Sequence, residues 1–269
     1  MPELPEVETV KNTLKNFIVN KRIVDIRVNY PRIIENDLDQ FKRAVVGQLI
    51  TDLDRVGKYL IFVLEDTAFV SHLRMEGKYN ILTKPEFSKH DHIIFYLDDG
   101  TYLSYNDTRK FGRMVLSSKS DYKSQLPLSK LGPEPFCADP KVVYQRIHKS
   151  DIPIKHLLLD QTIMAGIGNI YANEICFAMG INPFTPGKRL TLKRVEQLVQ
   201  ASCKILEAAI AQGGTTIHSF SANGIDGLFQ VSLQVHLQKE CKICHSEIIK
   251  EKIKGRSTYY CPKCQRRKS

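Results

Sequence analysis

The sequence has no apolar run approaching the ~18–20 residues that a membrane-spanning helix needs. Its start shows no basic stretch followed by an apolar one, so no secretion signal is expected. Internal repeats and low-complexity tracts are also missing. The seven cysteines are odd in number, and without a secretion signal they point to metal rather than disulfides. Acidic charge is in the minority, with 29 Asp and Glu against 39 Lys and Arg. The resulting +10 charge, with a pI near 9.2, suits a polyanionic partner. What remains is 269 residues, 42% hydrophobic and 25% charged, enough for two domains with real cores. Of the +10, +7 falls within residues 239–269.

Hydrophobic spacing separates two regimes. Val7, Val10, Leu14 and Phe17 recur at helical steps and predict a helix over 6–18, with Pro5 suited to its start. Val24, Ile26, Val28 and Tyr30 alternate as in a strand, and 37–46 reads as a short helix stopped by Gly47. Strand-like segments follow at 48–54, 59–64, 68–73, 79–82, 92–97, 101–105 and 113–116, with Asp99-Gly100 as a hairpin signal. One helix and seven or eight short strands predict a β-sandwich with a helix beside it. Residues 117–135, rich in proline and serine, read as a linker. Beyond it, helices are predicted at 140–149, 154–161, 170–179 and 191–212, the last ended by Gly213-Gly214. A polar loop is expected over 215–227 and an extended segment over 228–237.

The strongest chemical pattern is Cys241-x2-Cys244 with Cys261-x2-Cys264, separated by 16 residues. Two such knuckles complete a tetrahedral four-thiolate site for one structural zinc ion, with an iron–sulfur centre as the alternative. Cys137, Cys176 and Cys203 lack partners at ligand spacing and are expected in the core. Between the knuckles, Lys252, Lys254 and Arg256 suit phosphate contacts on a hairpin.

The chain starts Met1-Pro2-Glu3. Methionine before proline is normally clipped, leaving the secondary amine of Pro2 beside the Glu3 carboxylate. An α-amino group titrates near 7.7–8.0, so roughly a quarter is unprotonated at pH 7.5, far more than for lysine. Such an amine is a ready nucleophile for a Schiff-base-type intermediate.

Several motifs together resemble the bacterial formamidopyrimidine-DNA glycosylases. They are Pro2-Glu3-Leu4-Pro5-Glu6, Gly57-Lys58-Tyr59-Leu60, His72-Leu73-Arg74-Met75-Glu76-Gly77 and Lys89-His90-Asp91-His92. Asp107-Thr108-Arg109-Lys110-Phe111-Gly112, Leu131-Gly132-Pro133-Glu134-Pro135, Gly166-Ile167-Gly168-Asn169 and Gln212-Gly213-Gly214-Thr215-Thr216 continue it, and the cysteine finger closes it. The resemblance spans nearly the whole chain in the family's order. It implies an α+β fold: an N-terminal helix plus β-sandwich domain over 1–130, a helical domain with a helix–two-turn–helix element over 131–234, and a zinc finger over 235–269.

The function it implies is base-excision repair of double-stranded DNA that carries oxidised purines, chiefly 8-oxoguanine and formamidopyrimidines, or abasic sites. Pro2 would attack the anomeric carbon, Glu3 would handle protons, and Lys58 and Arg256 would contact phosphate and assist the β- and δ-eliminations. The flipped nucleotide's place would be filled by Met75, Arg109 and Phe111. His90, Lys149 and Asn169 are implied DNA-backbone contacts, Lys149 with Asp151 close by in sequence. Thr215, Thr216, Ile217, His218, Ser219 and Phe220 match the loop that closes on the damaged base, where a main-chain carbonyl at Thr215 would accept from the extra imidazole N–H. A cytoplasmic, nucleoid-associated bacterial monomer is implied.

Two alternatives stay open: an endonuclease VIII-like enzyme for oxidised pyrimidines, against which Leu4 and the full Met75/Arg109/Phe111 set weigh, and a DNA-binding protein weakened in catalysis. One departure stands out. The family's usual tyrosine and glycine before the finger are absent from Val235-His236-Leu237-Gln238, which puts the reach of Arg256 in question and leads us to expect a weaker second elimination.

Overall fold

The computed structural model of the chain describes residues 1–215 and 232–266. It divides into two compact units, 1–129 with 213–227, and 130–212 with 228–269.

The first unit starts with α1 (Leu4–Ile18), followed by β1 (Ile23–Val28) and α2 (Leu38–Val45). The strands β2 (Ile50–Val56), β3 (Tyr59–Leu64), β4 (Thr67–His72), β5 (Lys78–Leu82), β6 (Asp91–Leu97), β7 (Tyr102–Asn106) and β8 (Arg113–Ser118) complete it. They form two four-stranded sheets, ordered β1-β6-β7-β5 and β2-β3-β4-β8, with every strand pair antiparallel. The sheets and both helices share one core. Phe62 stacks on Phe69 at 4.4 Å, Phe69 stacks on Phe95 at 5.5 Å, and Phe41 meets Phe69 edge-on.

The helix α1 starts two residues earlier than its apolar spacing indicates, because Glu3 and Glu6 form a reciprocal capping box with Pro5 in the first turn. Val7, Val10, Leu14 and Ile18 are buried on one face, worth about 2 kcal/mol each. Phe17, expected on that face, is 41% exposed, since Ile18 takes the inward position.

The second unit holds α3 (Pro140–Ile147), α4 (Ile154–Leu158), α5 (Asn169–Ala178), α6 (Leu192–Ala211) and a hairpin of β9 (Ile249–Ile253) and β10 (Arg256–Tyr260). Residues 117–135, read as a linker, contain short 3₁₀ turns at Tyr122–Ser124, Leu128–Lys130 and Pro135–Cys137. Cys176 is buried in α5 as expected, but Cys203 is only partly covered and Cys137 is exposed, because its turn lies at the surface. Residues 232–237, expected to be extended, are turns and bends. The N–H groups of Gln234, Val235 and His236, which a strand would give to a neighbour, all go to the Glu174 carboxylate instead. No described helix is long and apolar enough to cross a membrane.

Candidate functional site

In the first unit the site is assembled around the chain start. Pro2 is buried and Glu3 is 2% exposed at the cap of α1. The Glu3 N–H donates to Glu6 Oε2 at 2.8 Å. The other Glu6 oxygen accepts from the backbone N–H of Thr215 at 2.9 Å and from its hydroxyl at 3.1 Å. Gly214, at φ +80°, approaches so closely that a Cβ there would lie 2.8 Å from that same oxygen. Glu6 therefore ties the capped start of α1 to the root of the 215–220 loop. Motif reading missed this role, although the Glu3-x-x-Glu6 spacing of a capping box was visible. Of the loop itself, Thr215 is described and buried; Thr216, Ile217, His218, Ser219 and Phe220 lie outside the described residues.

Lys58 occupies the two-residue turn between β2 and β3, after Gly57 at φ +58°. It is only 6% exposed, not the solvated lysine that a loop position suggests. Arg55 holds this turn, donating to the Gly57 carbonyl at 2.9 Å and to Glu8 on α1 at 2.6 Å. Burial alone would raise the Glu8 carboxyl, but Lys11 and Arg55 hold it below the usual range. Burial also pushes the Met1 amine below its ordinary value; Glu3 and Glu6 oppose that shift and Lys58 adds to it. The amine, Glu3, Glu6 and Lys58 thus share one electrostatic neighbourhood.

His72, across the β3–β4 pair from Tyr59, was also missed. Burial, with Arg74 and Lys58 nearby, pushes its imidazole down to about 3. Its Nδ1 accepts from the Arg74 N–H at 2.9 Å, so the neutral ring carries its proton on Nε2. That bond helps set the turn that carries Met75, with Arg74 at φ +57°. Met75 is partly exposed and Phe111 is 46% exposed. The Arg109 guanidinium lies over the Phe111 ring at 4.7 Å. His90 is half-buried before β6, in a loop held by Asp91, which accepts from Ser88 N, Ser104 Oγ and Asn106 Nδ2.

In the second unit, Asn169 is the first residue of α5. The turn before it has Gly166 at φ +99° and is braced by Gln161, which accepts from Gly166 N and donates to the Ile167 carbonyl. Ala165 N donates to Pro133 O, and at Gly132 a Cβ would meet Thr162 O at 2.3 Å. The Asn169 Oδ1 is buried without a hydrogen-bond partner among the described residues. Such an orphan acceptor fits a side chain whose polar end is completed by a ligand. Lys149 is exposed; Asp151 pairs with Lys188 at 2.5 Å. Arg256 is exposed at the start of β10, directly after the Lys254-Gly255 turn, whose φ values of +44° and +79° suit a tight hairpin.

The sulfurs of Cys241, Cys244, Cys261 and Cys264 lie within 4.8 Å of one another, with Cys241–Cys264 at 3.8 Å and Cys244–Cys261 at 3.4 Å. A tetrahedral zinc with bonds near 2.3 Å places sulfurs about 3.8 Å apart, so the donor set fits one structural zinc. Gln265 braces the second knuckle, accepting from Cys261 N and donating to the Ile181 carbonyl.

The lead-in that departs from the family pattern is ordered. His236 is buried against Tyr259, with ring centroids 5.0 Å apart, and its Nδ1 lies 2.7 Å from Asn173 Nδ2. Burial lowers it to about 4. Leu237 is exposed and sits at φ +61°, a conformation that glycine adopts without strain.

Comparison with known proteins agrees with this architecture. The chain matches the formamidopyrimidine-DNA glycosylase N-terminal domain over 1–114, the H2TH domain of those enzymes over 131–221, and the zinc finger found in FPG and IleRS over 238–267. It is 42% identical to the formamidopyrimidine-DNA glycosylase of Oceanobacillus iheyensis, covering 98% of each chain, and 42% identical to that of Geobacillus kaustophilus, covering 99% of this chain and 100% of the relative. Among solved structures it resembles the wild-type Lactococcus lactis Fpg in complex with DNA containing N7-benzyl-Fapy-dG. That match has a TM-score of 0.93 and 39% identity, over 99% of this chain and 100% of the other. It resembles the Lactococcus lactis Fpg complex with abasic-site DNA at a TM-score of 0.92 and 39% identity, over 98% and 100%. The layered sheets, the H2TH helices and the four-cysteine finger define a DNA-repair glycosylase architecture. The chain belongs to the formamidopyrimidine-DNA glycosylase family.

Proposed function

We propose that the protein is a bifunctional DNA glycosylase and abasic-site lyase that removes oxidised purines from double-stranded DNA. It would act as a cytoplasmic monomer, in three parts: 1–130, 131–234 and 235–269. The observation that carries this reading is the buried chain start, where an amine of lowered basicity shares its surroundings with Glu3, Glu6 and Lys58. With Met1 removed, the chain would start at the buried Pro2, and an α-amine there is already partly unprotonated at neutral pH.

Pro2 nitrogen bonds to the anomeric carbon, the glycosidic bond breaks, and the base leaves protonated. Glu3 exchanges protons at the sugar. Protonation of O4′ breaks the C1′–O4′ bond and opens the sugar to the iminium, which acidifies C2′; loss of a C2′ proton then expels the 3′ phosphate, and loss of a C4′ proton expels the 5′ phosphate. Lys58 and Arg256 hold phosphates. Asn169, His90 and Lys149 seat the DNA backbone. Met75, Arg109 and Phe111 fill the stack, and Thr215 starts the recognition loop.

The test is borohydride trapping on 8-oxoguanine and thymine-glycol duplexes. The adduct is expected on the 8-oxoguanine duplex, at Pro2, and absent when Met1 is retained. Trapping confined to thymine glycol would instead favour the pyrimidine-specific relative. No adduct from clipped, zinc-replete protein would leave only a DNA binder. Without borohydride, the ratio of β- to δ-elimination products on the 8-oxoguanine duplex tests the weaker second elimination expected from the missing tyrosine and glycine; the hydrogen-bonded lead-in and the regular β9–β10 register favour a δ-dominated pattern instead.

A further inference from the structure

The Met75 turn and the Arg109–Phe111 loop lie on different crossovers between the two sheets, yet one buried pair organises both. Asp107 is fully buried just past the end of β7. Its Oδ1 accepts from Arg109 N at 3.0 Å, and its Oδ2 accepts from Phe111 N and Gly112 N, both at 2.9 Å. The Tyr105 hydroxyl stands 3.5 Å from Oδ2. That hydroxyl also excludes a side chain on either loop: a Cβ on Gly112 would lie 1.7 Å from it, and one on Gly77 2.2 Å. Gly77 closes the Met75 turn through its N–H to Leu73 O at 3.0 Å. At the surface, the Thr108 hydroxyl donates to the Glu76 carboxylate and joins the same two loops.

We propose that Asp107 and Tyr105 are positioning residues that hold Met75, Arg109 and Phe111 in one register, so that they enter the DNA stack as a unit. This inference rests on the glycosylase reading above. A carboxylate that accepts three backbone N–H groups fixes the loop without contacting DNA. Nucleotide extrusion, not bond breaking at Pro2, then depends on it. The carboxylate matters because both oxygens accept from backbone N–H groups: in Asp107→Asn, of nearly the same shape, the NH₂ group would face at least one N–H donor whichever way the amide turns. Tyr105→Phe removes only the hydroxyl and is the milder variant.

The experiment compares both variants with wild type in three measurements: excision of 8-oxoguanine opposite cytosine in duplex, borohydride trapping on a single-stranded abasic oligonucleotide, and stopped-flow fluorescence of 2-aminopurine beside the lesion. Thermal melting and zinc content establish folding. Asp107→Asn is expected to slow excision and the fluorescence rise together by about tenfold, with trapping within about twofold of wild type. Tyr105→Phe should move the same two readouts by about threefold and carries the test if Asp107→Asn does not fold. Equal loss of trapping and excision, or unchanged extrusion kinetics in the folded variants, would overturn the assignment. Wild-type protein that forms no adduct would instead sink the glycosylase reading itself.

Discussion

The two units hold their functional residues by different means. In the first unit, the carboxylates of Glu3, Glu6 and Asp107 are buried within a domain whose core runs through both sheets. Among the described residues, the finger shares a small apolar cluster in which Phe177 of α5, Val235, Ile248 and Tyr259 pack against cysteines. Its order comes from four thiolates and from polar ties on α5: Glu174 to three successive N–H groups, and Asn173 to His236 and Tyr259. A large core tolerates buried charge because surrounding apolar contacts outweigh the desolvation cost. A small one needs a metal and complete hydrogen bonding.

That contrast can be broken most sharply by chelation. Removing zinc should cost the finger on the order of 10 kcal/mol. Hydrogen exchange should then show lost amide protection in β9 and β10, with β3, β4 and β6 still protected. A step smaller, Glu174→Ala leaves three N–H donors unpaired, two of them buried, and should destabilise by about 3 kcal/mol in urea unfolding, with weaker zinc retention. Burial raises the Glu174 carboxyl above its usual range against the pull of those N–H groups, so the folded chain holds that proton more tightly than the unfolded one and acid does not weaken the unit through this group.

Acid should weaken the finger unit through His236. Its folded value of about 4 lies below the ordinary 6.5, so the unfolded chain takes up the proton first. Stability is full above that ordinary value and declines as pH falls towards the folded one, by up to about 3 kcal/mol. His72 adds a loss of the same sign in the first unit. His236→Tyr should flatten the slope of unfolding free energy between pH 6.5 and about 4. Smallest of all, Leu237→Gly should stabilise by up to about 1 kcal/mol by relieving φ +61°, read from the urea midpoint.

Local signals explain what could be read from the sequence. The strand Tyr59–Leu64 was legible to the residue because turn residues flank an apolar run. The cysteine pairs announced their geometry by spacing alone. The segment before the finger misled because its donors are captured by Glu174, some 60 positions away in sequence. Periodicity carries no trace of that capture. Glu6, His72, Tyr105 and Asp107 escaped for a related reason: a polar residue's burial depends on neighbours from other strands, and a single sequence does not display it. Phe17 and Cys137 show the converse, apolar residues left outside: Ile18 takes the inward position beside Phe17, and Cys137 sits in a surface turn.

The double use of Glu6 has a practical consequence. One of its oxygens receives the N–H of the third residue, and the other receives Thr215. Both contacts are made with Met1 still ahead of Pro2, so a retained methionine masks the amine and leaves Thr215 seated. Preparations that differ only in whether that methionine is trimmed should diverge in bond cutting, yet bind damaged over undamaged duplex with similar selectivity.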